Sequence, residues 1–102
     1  MNRGDVYDAA LPGGRHPAVI VTRDSAIPLL RNVCVVAVTS TIRELPTELP
    51  LGTQNGLARE CVANCDNLFT IPKRTLERRR GALDQEQLRR LNDALRVALE
   101  LD

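Results

Sequence analysis

A chain of 102 residues with 43% hydrophobic and 26% charged side chains holds one buried core and is too short for two, so residues 1–102 form a single domain rather than a disordered tail. Net charge is only +1, and Tyr7 and Phe69 are the sole aromatics; the core must rest on Val, Leu, Ile and Ala, and a row of stacked aromatics for holding bases is excluded. No stretch approaches the ~20 apolar residues of a membrane-spanning helix. Three cysteines, an odd number behind no signal segment, point to a reducing, cytoplasmic setting.

In chain order, residues 3–11 read as a first strand with partial alternation. Pro12-Gly13-Gly14 is a turn, because proline presets φ and glycine accepts positive φ. Arg15 and His16 precede a second buried strand over Ala18–Thr22, with Pro17 suited to its first position. Residues 23–31 connect, and Pro28 bars a long helix there. Asn32–Arg43 is the most informative stretch. An unbroken run of mostly β-branched apolar residues, Val33–Val38, reads as a strand buried on both faces. It ends in Thr39, Ser40, Thr41 and, two residues on, Arg43, where a strand leaving the core either presents chemistry or simply turns.

A polar segment over 40–46 closes at Pro46. Thr47–Leu51 reads as an edge strand, since Pro50 cannot donate on both sides, and Asn55-Gly56 is a turn signal. A short alternating segment, Glu60–Asn64, runs through Cys65-Asp66-Asn67 into Leu68–Ile71. A turn or helical piece at 73–76 leads to a last, basic strand over 77–82. The C-terminal helix has a defined start: Asp84 as N-cap, Gln87 three residues on, and Leu83 and Leu88 at hydrophobic-staple positions. Leu88, Leu91, Leu95, Ala98 and Leu99 supply one apolar stripe. Five or six short strands with one terminal helix make a mainly β fold, α+β by content, with a strongly bent sheet or partly open barrel.

The basic side chains are thirteen arginines and one lysine, Lys73. Arginine offers phosphate oxygens a planar fork of donors, although a GC-rich genome produces the same bias. Residues 73–80 carry +4 and residues 84–102 carry −2; Arg78-Arg79-Arg80 reads either as a solvated strand face or as an RNA clamp. Cys61-x-x-x-Cys65 lacks a nearby histidine and does not read as a zinc site. Cys34 reads as a small core residue.

Taken together, Arg3–Tyr7, Gly14–Val21, Val36–Ser40, Cys65–Pro72 and the Leu91–Leu101 helix resemble, in order and over nearly the whole chain, the MazF/PemK family of toxin endoribonucleases, which shares its fold with the CcdB gyrase poison. The resemblance implies a small SH3-like barrel, a homodimer, and metal-independent, cofactor-free cleavage of single-stranded RNA at short specific sequences. It also implies inhibition by a cognate antitoxin with a flexible acidic tail. In the family an arginine just before the proline of strand two and a threonine ending strand three carry catalysis. Thr39 matches the second. At the first, His16 stands where most members have arginine, and Arg15 lies one residue earlier. A one-residue offset along a strand turns a side chain to the other face.

Cleavage by the substrate's own 2′-OH, leaving a 2′,3′-cyclic phosphate and a 5′-OH, requires proton transfer and stabilisation of a crowded phosphorane. Arginine suits the second task but does not release a proton. Histidine, ordinarily titrating near about 6.5, suits the first. The sequence therefore offers Arg15 to stabilise the phosphate, Thr39 to position it, and His16 as proton shuttle or spacer. Ser40, Thr41 and Arg43 either hold flanking phosphates and bases or form a solvated turn; Asp66 and Asn67 either read a base edge or close an Asx turn. Two other functions fit the same fold: a non-catalytic gyrase poison, and a decayed toxin retaining only antitoxin binding or corepression.

Overall fold

The computed structural model describes residues 1–102. One six-stranded, wholly antiparallel sheet runs in the order β4-β5-β3-β2-β1-β6. Its strands are β1 (Asp5–Leu11), β2 (Gly14–Ile20), β3 (Asn32–Thr39), β4 (Glu48–Leu51), β5 (Cys61–Pro72) and β6 (Leu76–Ala82). A single helix, α1 (Gln85–Leu99), follows. The sheet curls into the half-open barrel expected from many short strands and one helix.

β3 lies third in the sheet and is buried on both faces. Val36 and Val38 join the cluster beneath α1, with Val6, Val19, Leu49, Ala63, Leu91 and Ala94. Val33, Val35 and Ala37 face a second cluster with Ala9, Ala18, Ile20, Ile27 and Ile71. The apolar run therefore serves two cores, as its lack of alternation predicts. Cys34 departs from the expected core position: it is half-buried, with its thiol 3.4 Å from Thr70 Oγ1. The helix-side cluster claims β3 only from Val36 onward, so the same face is open at Cys34.

β2 starts earlier than expected, at Gly14 rather than Ala18. Pairing with β1 extends it, Leu11 opposite Gly14 through Asp8 opposite Pro17. Pairing with β3 begins only at Ala18. Residues 14–17 are thus bonded along one side only, which is where a strand tolerates a proline without an N–H. The Pro12-Gly13 turn before it has Gly13 at φ +93, a positive value that glycine accepts without strain after a turn proline.

β5 is one long strand with a break in register. Leu68 pairs with Val36 and Asn64 with Ala37, so Cys65, Asp66 and Asn67 bulge between two adjacent residues of β3. β4 is an edge strand carrying exposed Pro50, as its proline predicts. The stripe of α1 buries Leu91 and Ala94 fully, whereas Leu99 stays exposed. Asp84 accepts from Gln87 N at 2.8 Å, and Gln87 Oε1 accepts from Asp84 N at 3.1 Å, which closes the capping box. Buried Gln87 also exchanges two hydrogen bonds with buried Asn55, of 2.7 and 3.1 Å, pinning the helix start to the 53–56 turn. That turn lies against β6 so closely that a Cβ on Gly56 (φ +81) would overlap the backbone of Arg80.

Candidate active site

The site lies where β2 and β3 part. Their ladder pairs Ala18 with Ala37 and Val19 with Val36; continued outward by two residues, that register sets His16 opposite Thr39 and Arg15 opposite Ser40. Alternation places His16 and Thr39 on one face of the sheet. Arg15 takes the other face, where its Nη2 pairs with Glu77 Oε2 at 3.0 Å.

Two grooves flank the pair, and both His16 and Thr39 line each of them. The first, of about 200 Å³, has Leu11, Ala37 and Phe69 as its apolar floor and Thr41, Arg43, Glu48, Asn64 and Asn67 as its polar wall. The second, of about 290 Å³, is walled by Ser40, Arg59 and Arg80 over Leu57 and Cys61. Arg15 lines neither groove.

Local hydrogen bonds hold the polar wall in place. Thr39 Oγ1 accepts from Thr41 N at 3.1 Å, which fixes the hydroxyl oxygen and leaves its proton available for donation. Buried Glu48 accepts from Arg43 N at 2.9 Å and also faces Leu45 N at 3.5 Å, tying down the 40–46 loop. The bulge is anchored through Asp66. Asn64 Oδ1 accepts from Asp66 N at 2.9 Å, and Thr47 Oγ1 donates to Asp66 Oδ2 at 2.7 Å. The Asx turn is therefore closed by Asn64, and the Asp66 carboxylate is engaged by Thr47. The Asn67 side chain and the Arg43 guanidinium have no protein partner and border the first groove.

Of the residues singled out in the sequence, His16, Thr39, Ser40, Thr41, Arg43 and Asn67 converge on these grooves, while Arg15 and Asp66 are held elsewhere. Arg80, from the basic run read as a strand face or an RNA clamp, joins the second groove; Glu48, Asn64, Phe69 and Arg59 join the grooves from distant strands or loops without having been singled out as site residues. Two buried thiols lie beside the grooves. Burial pushes the Cys61 thiol up. Burial, with help from neighbouring Asp66, pushes Cys65 up to about 11. Both are therefore protonated, unreactive core residues at neutral pH. The largest cavity, about 640 Å³, lies away from Thr39 along β4 and bears Glu44, Glu48 and Glu60 against the single Arg90, an acidic lining ill suited to a polyanion.

A curled antiparallel sheet capped by one helix, with His16 and Thr39 bordering two polar grooves, defines a small half-open barrel protein. The model of the PemK-like, MazF-like toxins of type II toxin–antitoxin systems matches residues 2–99, and the chain belongs to that family. It is 42% identical over 86 residues to the endoribonuclease MazF3 of Mycobacterium tuberculosis, covering 84% of each protein. Its fold matches the solved M. tuberculosis toxin MazF-mt6 with a TM-score of 0.91 and 39% identity, over 96% of this chain and 98% of that one. A mycobacterial endoribonuclease solved in complex with its cognate antitoxin matches with a TM-score of 0.89 and 30% identity, over 100% of this chain and 97% of that one.

Proposed function

We propose that this toxin is an endoribonuclease that cuts single-stranded RNA at specific short sequences by attack of the substrate's own 2′-OH. The supporting observation is that His16 and Thr39 together border both grooves. His16 takes the 2′-OH proton as O2′ attacks the phosphorus. Thr39 donates a hydrogen bond from its hydroxyl to a non-bridging oxygen as negative charge gathers there. The bond from phosphorus to the 5′ oxygen breaks, and that oxygen takes up a proton from the imidazolium or solvent. The products are a 2′,3′-cyclic phosphate and a 5′-OH, and no step calls on a metal or cofactor. Arg15, committed to Glu77 on the other face, stands outside this chemistry.

Thr41, Arg43 and Asn67 contact the flanking nucleotides from the first groove, and Ser40 from the second. A cognate antitoxin with an acidic tail fits the same arginine-bearing grooves, and blocking them would silence the toxin. Homodimerisation, carried by the family resemblance, and a cytoplasmic location, carried by the three unpaired cysteines, complete the reading; no helix is long and apolar enough to cross a membrane. Incubating the purified protein with mixed single-stranded RNA in EDTA and mapping the ends tests the chemistry. Cyclic-phosphate and 5′-OH ends support it. Cleavage that stops in EDTA, or ends bearing 5′-phosphate, would overturn it.

A further inference from the structure

We infer that Arg59 and Arg80 form a phosphate-holding site on one side of the His16–Thr39 pair, separate from a base-reading groove on the other side. The inference rests on the endoribonuclease reading and assigns a division of labour within it. Because His16 and Thr39 border both grooves, an RNA strand whose scissile phosphate meets them runs from one groove into the other.

The grooves differ in chemistry. The first offers an aromatic ring, Phe69, two side-chain amides, Asn64 and Asn67, and one arginine, Arg43, whose charge the buried Glu48 carboxylate of the same wall offsets. That set accepts a base face and reads hydrogen bonds along its edge, and the carboxylate works against a phosphate. The second has two arginines and no carboxylate in its wall. Its guanidiniums suit the phosphodiester backbone, to which arginine binds with paired, charge-assisted donors.

The second groove still keeps arginine donors open to a ligand. Arg15, Arg79, Arg80, Arg89 and Arg96 each pair with a carboxylate. Arg59 pairs with none and is exposed two residues before the start of β5. Arg80 is locked by two of its nitrogens: Nε donates to Gly56 O at 3.2 Å and Nη1 to Asp8 Oδ1 at 3.1 Å. Its Nη2 has no protein partner. A guanidinium held in this way presents its remaining donors without the ordering cost that a mobile arginine carries. The close packing of Gly56 on the Arg80 backbone fixes where that fork stands.

Arg80 also ties β6 to the 53–56 turn, so Arg59 carries the test. The measurement is kcat/KM on a mixed-sequence single-stranded RNA in EDTA, across salt from about 50 to 200 mM, for wild type, Arg59→Ala, Arg59→Lys and Asn67→Ala. Arg59→Ala is expected to lower kcat/KM roughly tenfold at low salt, the order of one charge-assisted contact. It should flatten the slope of log kcat/KM against log salt by about 0.7, one single-strand phosphate, and leave the cleaved sequence unchanged. Arg59→Lys should restore the slope and part of the efficiency. Asn67→Ala should change which sequences are cut while keeping the wild-type slope. A wild-type slope and efficiency in Arg59→Ala overturns the phosphate site, and a flattened slope in Asn67→Ala overturns the division between grooves. A wild type that leaves the RNA intact sinks the endoribonuclease reading itself, a result distinct from either.

Discussion

Polar side chains are treated in opposite ways at the two ends of the sheet. Under the start of α1, Asn55 and Gln87 are buried and answer one another: Asn55 also donates to Ala82 O at 3.0 Å and accepts from Gly52 N at 3.1 Å. No buried side-chain nitrogen or oxygen in the molecule lacks a partner. At the mouth of β2 and β3, by contrast, Asn67, Arg43 and Arg59 are exposed and engage no carboxylate. Burial demands internal partners because an unmatched polar group there costs about 1–3 kcal/mol. Exposure at a groove removes that demand and leaves the same residue types free for a ligand. The two ends therefore separate polar groups that hold the fold from polar groups left open to a ligand.

The comparison breaks most visibly at His16. Replacing it by Ala should lower the cleavage rate by roughly 10²–10⁴-fold, the range of general acid–base catalysis, while the thermal midpoint stays near wild type because the side chain is exposed. Thr39→Val should cost about 10²-fold, as loss of one preorganised donor does, with RNA binding retained. A large fall in the thermal midpoint of either variant would place these residues in the structural class instead.

At the opposite end the expectation reverses. Asn55→Ala strands the Gln87 amide and the backbone groups that Asn55 serves, a loss on the order of 3 kcal/mol in unfolding free energy. Cleavage per folded molecule should remain that of wild type. Urea titration alongside initial rates measures both, and a rate that falls with the fold still intact would show that the helix junction acts on the site.

Cys65 probes the core through pH. Burial raises its pKa from the ordinary 9.0 to about 11, so the folded protein keeps a proton that the unfolded chain releases near 9. The stabilisation is full below that value and disappears as pH rises to about 11, because the native state binds more protons throughout the interval. The fall is on the order of 2 kcal/mol, and Cys65→Ala should remove this component of the slope. Denaturant midpoints between pH 8 and 11 settle it, a flat wild-type profile being the contrary outcome.

Much of the fold was legible in the sequence because its local signals are unambiguous. The β-branched run of β3, the proline of edge strand β4 and the Asp84–Gln87 box each have one physical reading. The start of β2 was less legible: Pro17 marks a strand edge, and only the β1 partner shows that the edge runs along residues 14–17 rather than across them. The bulge at Cys65–Asn67 depends on register with Val36 and Ala37, which no local pattern encodes. At the site, the hydroxyl end of β3 announced Thr39. Arg80 stood in a basic run with two open readings, and Arg59 stayed hidden in an unpatterned loop, because a groove assembled from separate strands has no spacing in the chain.

Arg15 gives the sharpest test, with the smallest expected effect. By residue type it is the natural partner for a phosphate, and it stands next to His16 in the chain. Yet one step along a strand reverses the face, and its guanidinium meets Glu77 with two-thirds of the side chain exposed. A surface pair of this kind contributes within about 1 kcal/mol. Arg15→Ala should therefore leave kcat and the cleaved sequence unchanged and shift the unfolding free energy by less than about 1 kcal/mol. The double variant Arg15→Ala, His16→Ala should be no slower than His16→Ala alone. If Arg15→Ala by itself loses activity as His16→Ala is expected to, the arginine reaches the scissile phosphate from across the sheet edge. The division between structural polar groups and those left open to a ligand would then have to be redrawn at this strand.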